Sequence, residues 1–248
     1  MPEHKNDDST VGEVLAIMGR FFAFDPERFP YAGTTLVIKE MQNVSHSGND
    51  GGTGLNVWDG AVLIARYLEK RPEIVMNKKV LELGAGCGLV GIAASKLGAK
   101  EVVMTDLQYA LPLMRENVEQ NKSSEDHQNI SCQECDWFSP PTLNQLFQSS
   151  NDGKSEMYPD VIIVADCVWL YPLVAPLLRT LKAYSSNPST TVLISYQQRG
   201  RDVHDSFWTG VHDMFDEVED VDTEKTAGLA KPDVFHVLEC RRRTIAKA

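Results

Sequence analysis

The stretch Val80-Leu81-Glu82-Leu83-Gly84-Ala85-Gly86-Cys87-Gly88-Leu89-Val90-Gly91 carries the most chemistry in the chain. An apolar strand-like run enters closely spaced glycines, and a helix-forming run follows. Glycine lets the backbone turn sharply and approach a ligand where a Cβ would collide, beside the free N–H groups that open a helix. A nucleotide-like cofactor is the natural occupant. Asp106 closes the next apolar run, 102–106, where a carboxylate can accept hydrogen bonds from both hydroxyls of a ribose. Further along, Asp166-Cys167-Val168-Trp169 follows the apolar run 160–165 and sets an acid and an aromatic at one edge.

The glycines admit two registers. Gly86-Cys87-Gly88-Leu89-Val90-Gly91 satisfies the dinucleotide pattern GxGxxG with Asp106 about twenty residues on. In a dinucleotide fold, however, the first glycine comes directly as the strand ends. Here Gly84 does so, giving Gly-x-Gly-x-Gly preceded by Glu82.

These residues need a scaffold that brings strand ends together. From residue 79 onward, short β-rich runs at 80–83, 101–105, 130–132, 161–165 and 192–196 alternate with helical patterns at 90–97, 111–121, 173–184 and 203–215. Such alternation predicts parallel strands joined by helical crossovers. Between the third and fourth strands only 143–147 reads as helical. Two last strands, 217–221 and 234–240, lie too close for a crossover helix and are expected to form an antiparallel hairpin. Upstream are a helix over 11–22, a strand-like segment over 35–39, a glycine-rich link over 46–54 and a helix entered through Asn56-Val57-Trp58-Asp59. The expected fold is α/β: a doubly wound, mostly parallel, Rossmann-like seven-stranded sheet with a C-terminal antiparallel hairpin. Residues 1–55 are read as a small N-terminal appendage with a disordered start, and 56–248 as the main domain. Segments 122–128, 149–157 and 184–189 are polar and expected in exposed loops.

Composition narrows the partners. The 248 residues hold 24 Lys and Arg against 35 Asp and Glu, a formal charge of −11. An acidic surface disfavours a grip on phosphate backbones, which requires a basic face to displace counterions. The most apolar stretch, 161–178, contains Asp166, Pro172 and Pro176, so it reads as strand then helix rather than a membrane span. The first ten residues show no secretory pattern. Five cysteines, an odd and scattered set, point to free thiols in a reducing compartment, cytoplasmic or also nuclear. Cys132-Gln133-Glu134-Cys135 lacks the further ligands of a structural zinc site, and no metal is expected. The acidic run 216–224, six carboxylates in nine residues, reads as a solvated strand edge and loop, with a basic target surface as the alternative.

Read from Gly84, the glycine pattern resembles the first motif of class I, seven-strand methyltransferases that use S-adenosyl-L-methionine. The likeness sharpens with Trp58-Asp59-Gly60-Ala61, Leu81 through Gly88, Thr105-Asp106-Leu107, Leu111-Pro112-Leu113-Met114-Arg115-Glu116-Asn117-Val118, Asp136-Trp137 and Ala165-Asp166-Cys167-Val168. Together these are similar to the family-16 methyltransferases of the methyltransferase-like 21 type, over roughly 54–196. That group contains protein lysine methyltransferases acting on chaperones and translation elongation factors. The resemblance implies cofactor contacts from Trp58, Glu82, Gly84, Ala85, Gly86, Asp106, Leu107, Trp137 and Ala165. It also implies an amine-handling edge, where the Asp166 carboxylate at the rim is expected to bind the incoming ammonium and orient the amine, with Trp169 and Tyr171 as walls of the channel. Trp169 stands where the family more often has Tyr or Phe, and Tyr171 could supply the missing hydroxyl. The expected protein is a monomeric methyltransferase acting on a lysine-bearing protein. A small-molecule methyltransferase and a non-catalytic cofactor-binding protein are the alternatives.

Overall fold

The computed structural model describes residues 21–41, 52–122, 130–147 and 158–242. The expected helix over 11–22 and link over 46–54 therefore lie mostly outside the described residues, as do the loops over 122–128 and 149–157. Phe21 and Phe22 form a bend rather than the end of a helix.

Nine strands and seven α-helices follow in order along the described residues: β1 (Phe29–Tyr31), β2 (Thr34–Leu36), α1 (Asp59–Lys70), β3 (Lys79–Leu83), α2 (Leu89–Lys96), β4 (Glu101–Asp106), α3 (Leu111–Gln120), β5 (Ile130–Glu134), α4 (Leu143–Leu146), β6 (Val161–Ala165), α5 (Tyr171–Tyr184), β7 (Thr191–Gln197), α6 (Arg201–Met214), β8 (Glu217–Asp220), α7 (Thr223–Ala227) and β9 (Phe235–Arg241). Seven strands form one sheet in the order β5-β4-β3-β6-β7-β9-β8. The first five are parallel, and β9 pairs antiparallel with both β7 and β8. The sheet and its C-terminal hairpin match the expectation, with α7 folded into the hairpin's connection.

The β3 and β6 sequences, KVLEL and VIIVA, are apolar almost throughout because both faces of a parallel sheet are covered. The period-2 alternation of strand side chains divides the core. Val80, Val102, Val161 and Ile163 point to the layer holding Ile64, Leu68, Val90, Ile92 and Met114 of α1, α2 and α3. Leu81, Leu83, Ile162 and Val164 point to the layer of Leu177, Leu181, Phe207 and Val211 from α5 and α6. Chain order reverses between β3 and β6. In an open α/β sheet this is the switch point, where a crevice opens beyond the strands' carboxyl ends.

The N-terminal described residues pack into this core. Phe29, Tyr31, Leu36 and Ile38 are buried in the same cluster as α1. The strand expected over 35–39 is instead β2, ending at Leu36 and paired with β1, a strand absent from the sequence reading. Residues 37–39 then run along α3. Asn121 accepts from the Val37 N–H and donates to the Val37 carbonyl, and Asn117 does the same at Lys39. Expected exposure over 184–189 also fails at its start, since Tyr184 and Ser185 are buried at the end of α5. No helix among the described residues is long and apolar enough to cross a membrane.

Candidate active site

β3 ends at Leu83, and Gly84, Gly86 and Gly88 follow at φ +70°, +55° and +85°, backbone that a side chain strains to adopt. Space forbids side chains as well. A Cβ built on Gly84 would lie 2.5 Å from Cys167 Sγ and 3.1 Å from Trp137 Cζ2, and one on Gly86 would lie 2.9 Å from the Gly54 carbonyl oxygen. The loop thus threads between the walls of a cavity and opens α2 at its far end.

Asp106, at the end of β4, fixes that loop. Its Oδ2 accepts the Gly86 N–H at 2.8 Å and its Oδ1 accepts the Leu107 N–H at 2.7 Å. Each carboxylate oxygen retains a lone pair for a ligand. Burial raises the Asp106 pKa, while the two amides pull it down. Glu82 lies beneath the glycines, 1 % exposed, with Oε2 lacking a partner. Burial pushes its carboxyl up to about 8 against the pull of the Gly91 N–H, and the neighbouring Asp106 charge adds to the rise.

The cavity measures about 690 Å³, within the roughly 300–1,000 Å³ of small-molecule sites. Trp58, Glu82, Gly84, Ala85, Gly86, Asp106, Leu107, Trp137, Ala165, Asp166 and Trp169 all line it. Every expected cofactor contact therefore borders one space, although they come from four strand ends and the lead-in to α1. Tyr109 and Phe138 also line it and were absent from the sequence reading, as do Cys135 and Cys167, which that reading did not assign to the site. Phe138 was legible in principle, as the aromatic next to Trp137. Cys132 and Cys135 belong to no group of three or more potential metal ligands among the described residues.

The acceptor end differs from expectation in one respect. Asp166 sits at φ +56°, in the left-handed region, with its N–H donating to the Ser195 carbonyl at 2.7 Å. Its carboxylate does not stand open at the rim. The side chain has 0 % exposure, and Oδ1 accepts from Arg199 Nη1 at 2.7 Å and the Gln197 N–H at 3.3 Å. Oδ2 accepts from Arg199 Nη2 and the Gly60 N–H, each at 3.0 Å. These four donors fill the carboxylate's capacity, because each oxygen takes about two. The Gln197-Gln198-Arg199 segment, which the sequence reads as either a substrate contact or a plain polar loop at this edge, thus supplies the charge partner. Trp169 is half-buried in the cavity wall. Tyr171 is 60 % exposed at the first turn of α5 and is not among the lining residues.

The donor set suits S-adenosylmethionine. Asp106 has spare lone pairs for ribose hydroxyls, Trp137, Phe138 and Leu107 provide apolar cover for a base, and the glycines leave room for backbone approach. The unpartnered Glu82 Oε2 marks a polar atom in the floor.

Comparison with known proteins agrees. The sequence profile of the family described as lysine methyltransferase matches residues 38–213. EEF1A lysine methyltransferase 3 of Xenopus tropicalis is 32 % identical over 202 residues, 80 % of this chain and 81 % of that protein. Protein N-lysine methyltransferase METTL21A of Mus musculus is 34 % identical over 165 residues, 66 % of this chain and 68 % of that one. Among solved structures, a TehB-like SAM-dependent methyltransferase from Corynebacterium glutamicum shares the fold with a TM-score of 0.51 at 18 % identity, covering 73 % of this chain and 87 % of that one. Magnesium protoporphyrin IX methyltransferase from Synechocystis, crystallised with bound SAH, gives 0.50 at 11 % identity, with coverages of 74 % and 82 %. This chain belongs to the lysine methyltransferase family, enzymes that depend on S-adenosylmethionine.

Proposed function

We propose that the chain transfers a methyl group from S-adenosylmethionine to the ε-amine of a lysine in a protein, and that the acceptor protein is a translation factor or a chaperone. The observation that carries this reading is a single cavity lined both by Asp106 and the glycine loop and by Trp58, Asp166 and Trp169. The relatives named for EEF1A and protein-lysine methylation support the acceptor class. A monomer is part of this proposal. The five cysteines are free, which supports a cytoplasmic or nuclear setting.

S-adenosylmethionine supplies an electrophilic methyl group when bound. Glu82, Gly84, Ala85, Gly86, Asp106, Leu107, Trp137 and Ala165 would hold it, with Asp106 on the ribose. Trp58 and Trp169 present aromatic surface at the proposed acceptor corner, which attracts an ammonium and then packs against the lysine stem. A lysine of ordinary pKa 10.4 costs roughly 4–5 kcal/mol to deprotonate at pH 7. Asp166 accepts four hydrogen bonds already, so its carboxylate shapes the corner and the lysine proton leaves to water. The chain's contribution is then mainly to position the amine lone pair.

Incubation with tritiated S-adenosylmethionine, purified EEF1A and chaperones, or a cell extract tests this. The expected result is label on a discrete protein band, located by mass spectrometry on lysine. Label confined to low-mass material, or no transfer to any protein, would overturn it.

A further inference from the structure

We infer that Arg199 is a positioning residue for methyl transfer: it clamps the Asp166 turn and the Trp58 wall together from behind and sets the shape of the acceptor corner without entering it. The inference rests on the proposed reading of that corner as the acceptor end. Arg199 follows β7, Asp166 follows β6 and Trp58 precedes α1, so nothing local in the chain holds the three together. The guanidinium does so. It forms a two-pronged ion pair with Asp166 and lies 5.0 Å from the centre of the Trp58 ring. Asp166 and Trp58 line the cavity, whereas Arg199 is not among the lining residues. Its side chain is 26 % exposed against 0 % for Asp166.

The cavity lining, which includes Asp166 and Trp58 but not Arg199, separates a clamp from a substrate contact. A carboxylate wholly removed from water requires a fixed counter-charge, and a group behind the wall acts through the wall. The backbone reinforces the arrangement, since the Gln197 N–H reaches Asp166 and the Gln198 N–H is tied to the Val234 carbonyl at 2.7 Å. Lysine could not replace Arg199, because a point charge lacks both the planar fork that matches a carboxylate and the flat face that lies over indole.

The test compares wild type, Arg199→Lys and Arg199→Ala, each made both with Trp58 and with Trp58→Phe. The Trp58 emission is then the difference between matched proteins. For Arg199→Ala we expect kcat to fall at least ten-fold, S-adenosylhomocysteine affinity by calorimetry to stay within three-fold, and the Trp58 emission to shift. Arg199→Lys should remain near Arg199→Ala in kcat, and added ethylguanidinium should restore Arg199→Ala several-fold. If Arg199→Ala does not fold, the same readouts on Arg199→Lys decide. A rise in KM for the protein acceptor at unchanged kcat would make Arg199 a substrate contact. A parallel fall in cofactor affinity would make it a cofactor residue, and unchanged Trp58 emission with full activity would make it a bystander. Each of these overturns the clamp. Absence of transfer by the wild type would instead sink the acceptor reading, and the Trp58 emission would still report on the clamp.

Discussion

The Gly60 N–H donates to Asp166 Oδ2 at 3.0 Å across 106 residues of chain, and a Cβ on Gly60 would lie 2.8 Å from the Asp166 Cβ. The backbone at the second residue of α1 thus packs directly on the Asp166 side chain in the turn after β6, and Ser195 Oγ donates to the Gly60 carbonyl at 2.7 Å. Gly60→Ala forces either α1 or the Asp166 turn to move. The expected cost is about 1–3 kcal/mol, as for overpacking, with a ten-fold or greater loss of methylation. Thermal unfolding and initial rates check both, and a stable, fully active alanine variant would refute the close approach.

Asp106→Ala removes the proposed ribose acceptor and leaves the Gly86 and Leu107 N–H groups without their partner. Charge-assisted hydrogen bonds are worth about 1.5–3 kcal/mol. Cofactor affinity measured by calorimetry should drop ten-fold or more while the far-UV spectrum keeps its native form. Unchanged affinity in a folded variant would place the ribose elsewhere.

Glu82 makes stability depend on pH. Its carboxyl is pushed up to about 8 by burial, so the folded state holds this proton more tightly than the unfolded chain does. The associated stability is complete below the ordinary carboxyl range and is lost as pH rises towards 8, by up to about 1.4 kcal/mol per pH unit. Glu82→Gln keeps the shape without the titration. Its melting temperature should change less between pH 5 and 8 than that of the wild type and should exceed it at pH 8. Parallel pH profiles for the two proteins would contradict the buried, protonated carboxyl.

Asn117 is fully buried and bonds the Lys39 N–H at 2.8 Å, the Lys39 carbonyl at 3.1 Å and the Cys87 carbonyl at 2.9 Å. It joins the N-terminal segment to the glycine loop itself, at Cys87. Asn117→Ala strands three backbone groups and should destabilise the fold by about 2–4 kcal/mol, given about 1–3 kcal/mol for each buried group left unpaired and partial relaxation. Urea denaturation measures the loss. A change below 0.5 kcal/mol would mean that the segment is held by its apolar side chains alone.

The central strands and the helices that cover them were legible in the sequence because their signals are local. Runs such as Val161–Ala165 are β-rich and apolar, and the helices repeat apolar residues at helical spacing, so most boundaries fell within one or two residues. The β1–β2 hairpin was not legible. Its strands are three residues long and one contains Pro30, and residues 37–39 find their backbone partners on Asn117 and Asn121, about eighty positions away.

The same distinction separates the two proposed ends of the cavity. The glycine spacing after β3 and the acid closing β4 are short-range patterns dictated by backbone sterics, so the sequence by itself determined the residues of the proposed cofactor end. Only the tertiary structure decided the acceptor end. The protein environment of Asp166 is made by Arg199, Gly60 and Gln197, residues brought to it by the pairing of β6 with β7 and by the packing of α1 on the sheet. A carboxylate reads the same in sequence whether it faces solvent or lies saturated by four donors, because its surroundings are supplied by chain segments that only folding brings together.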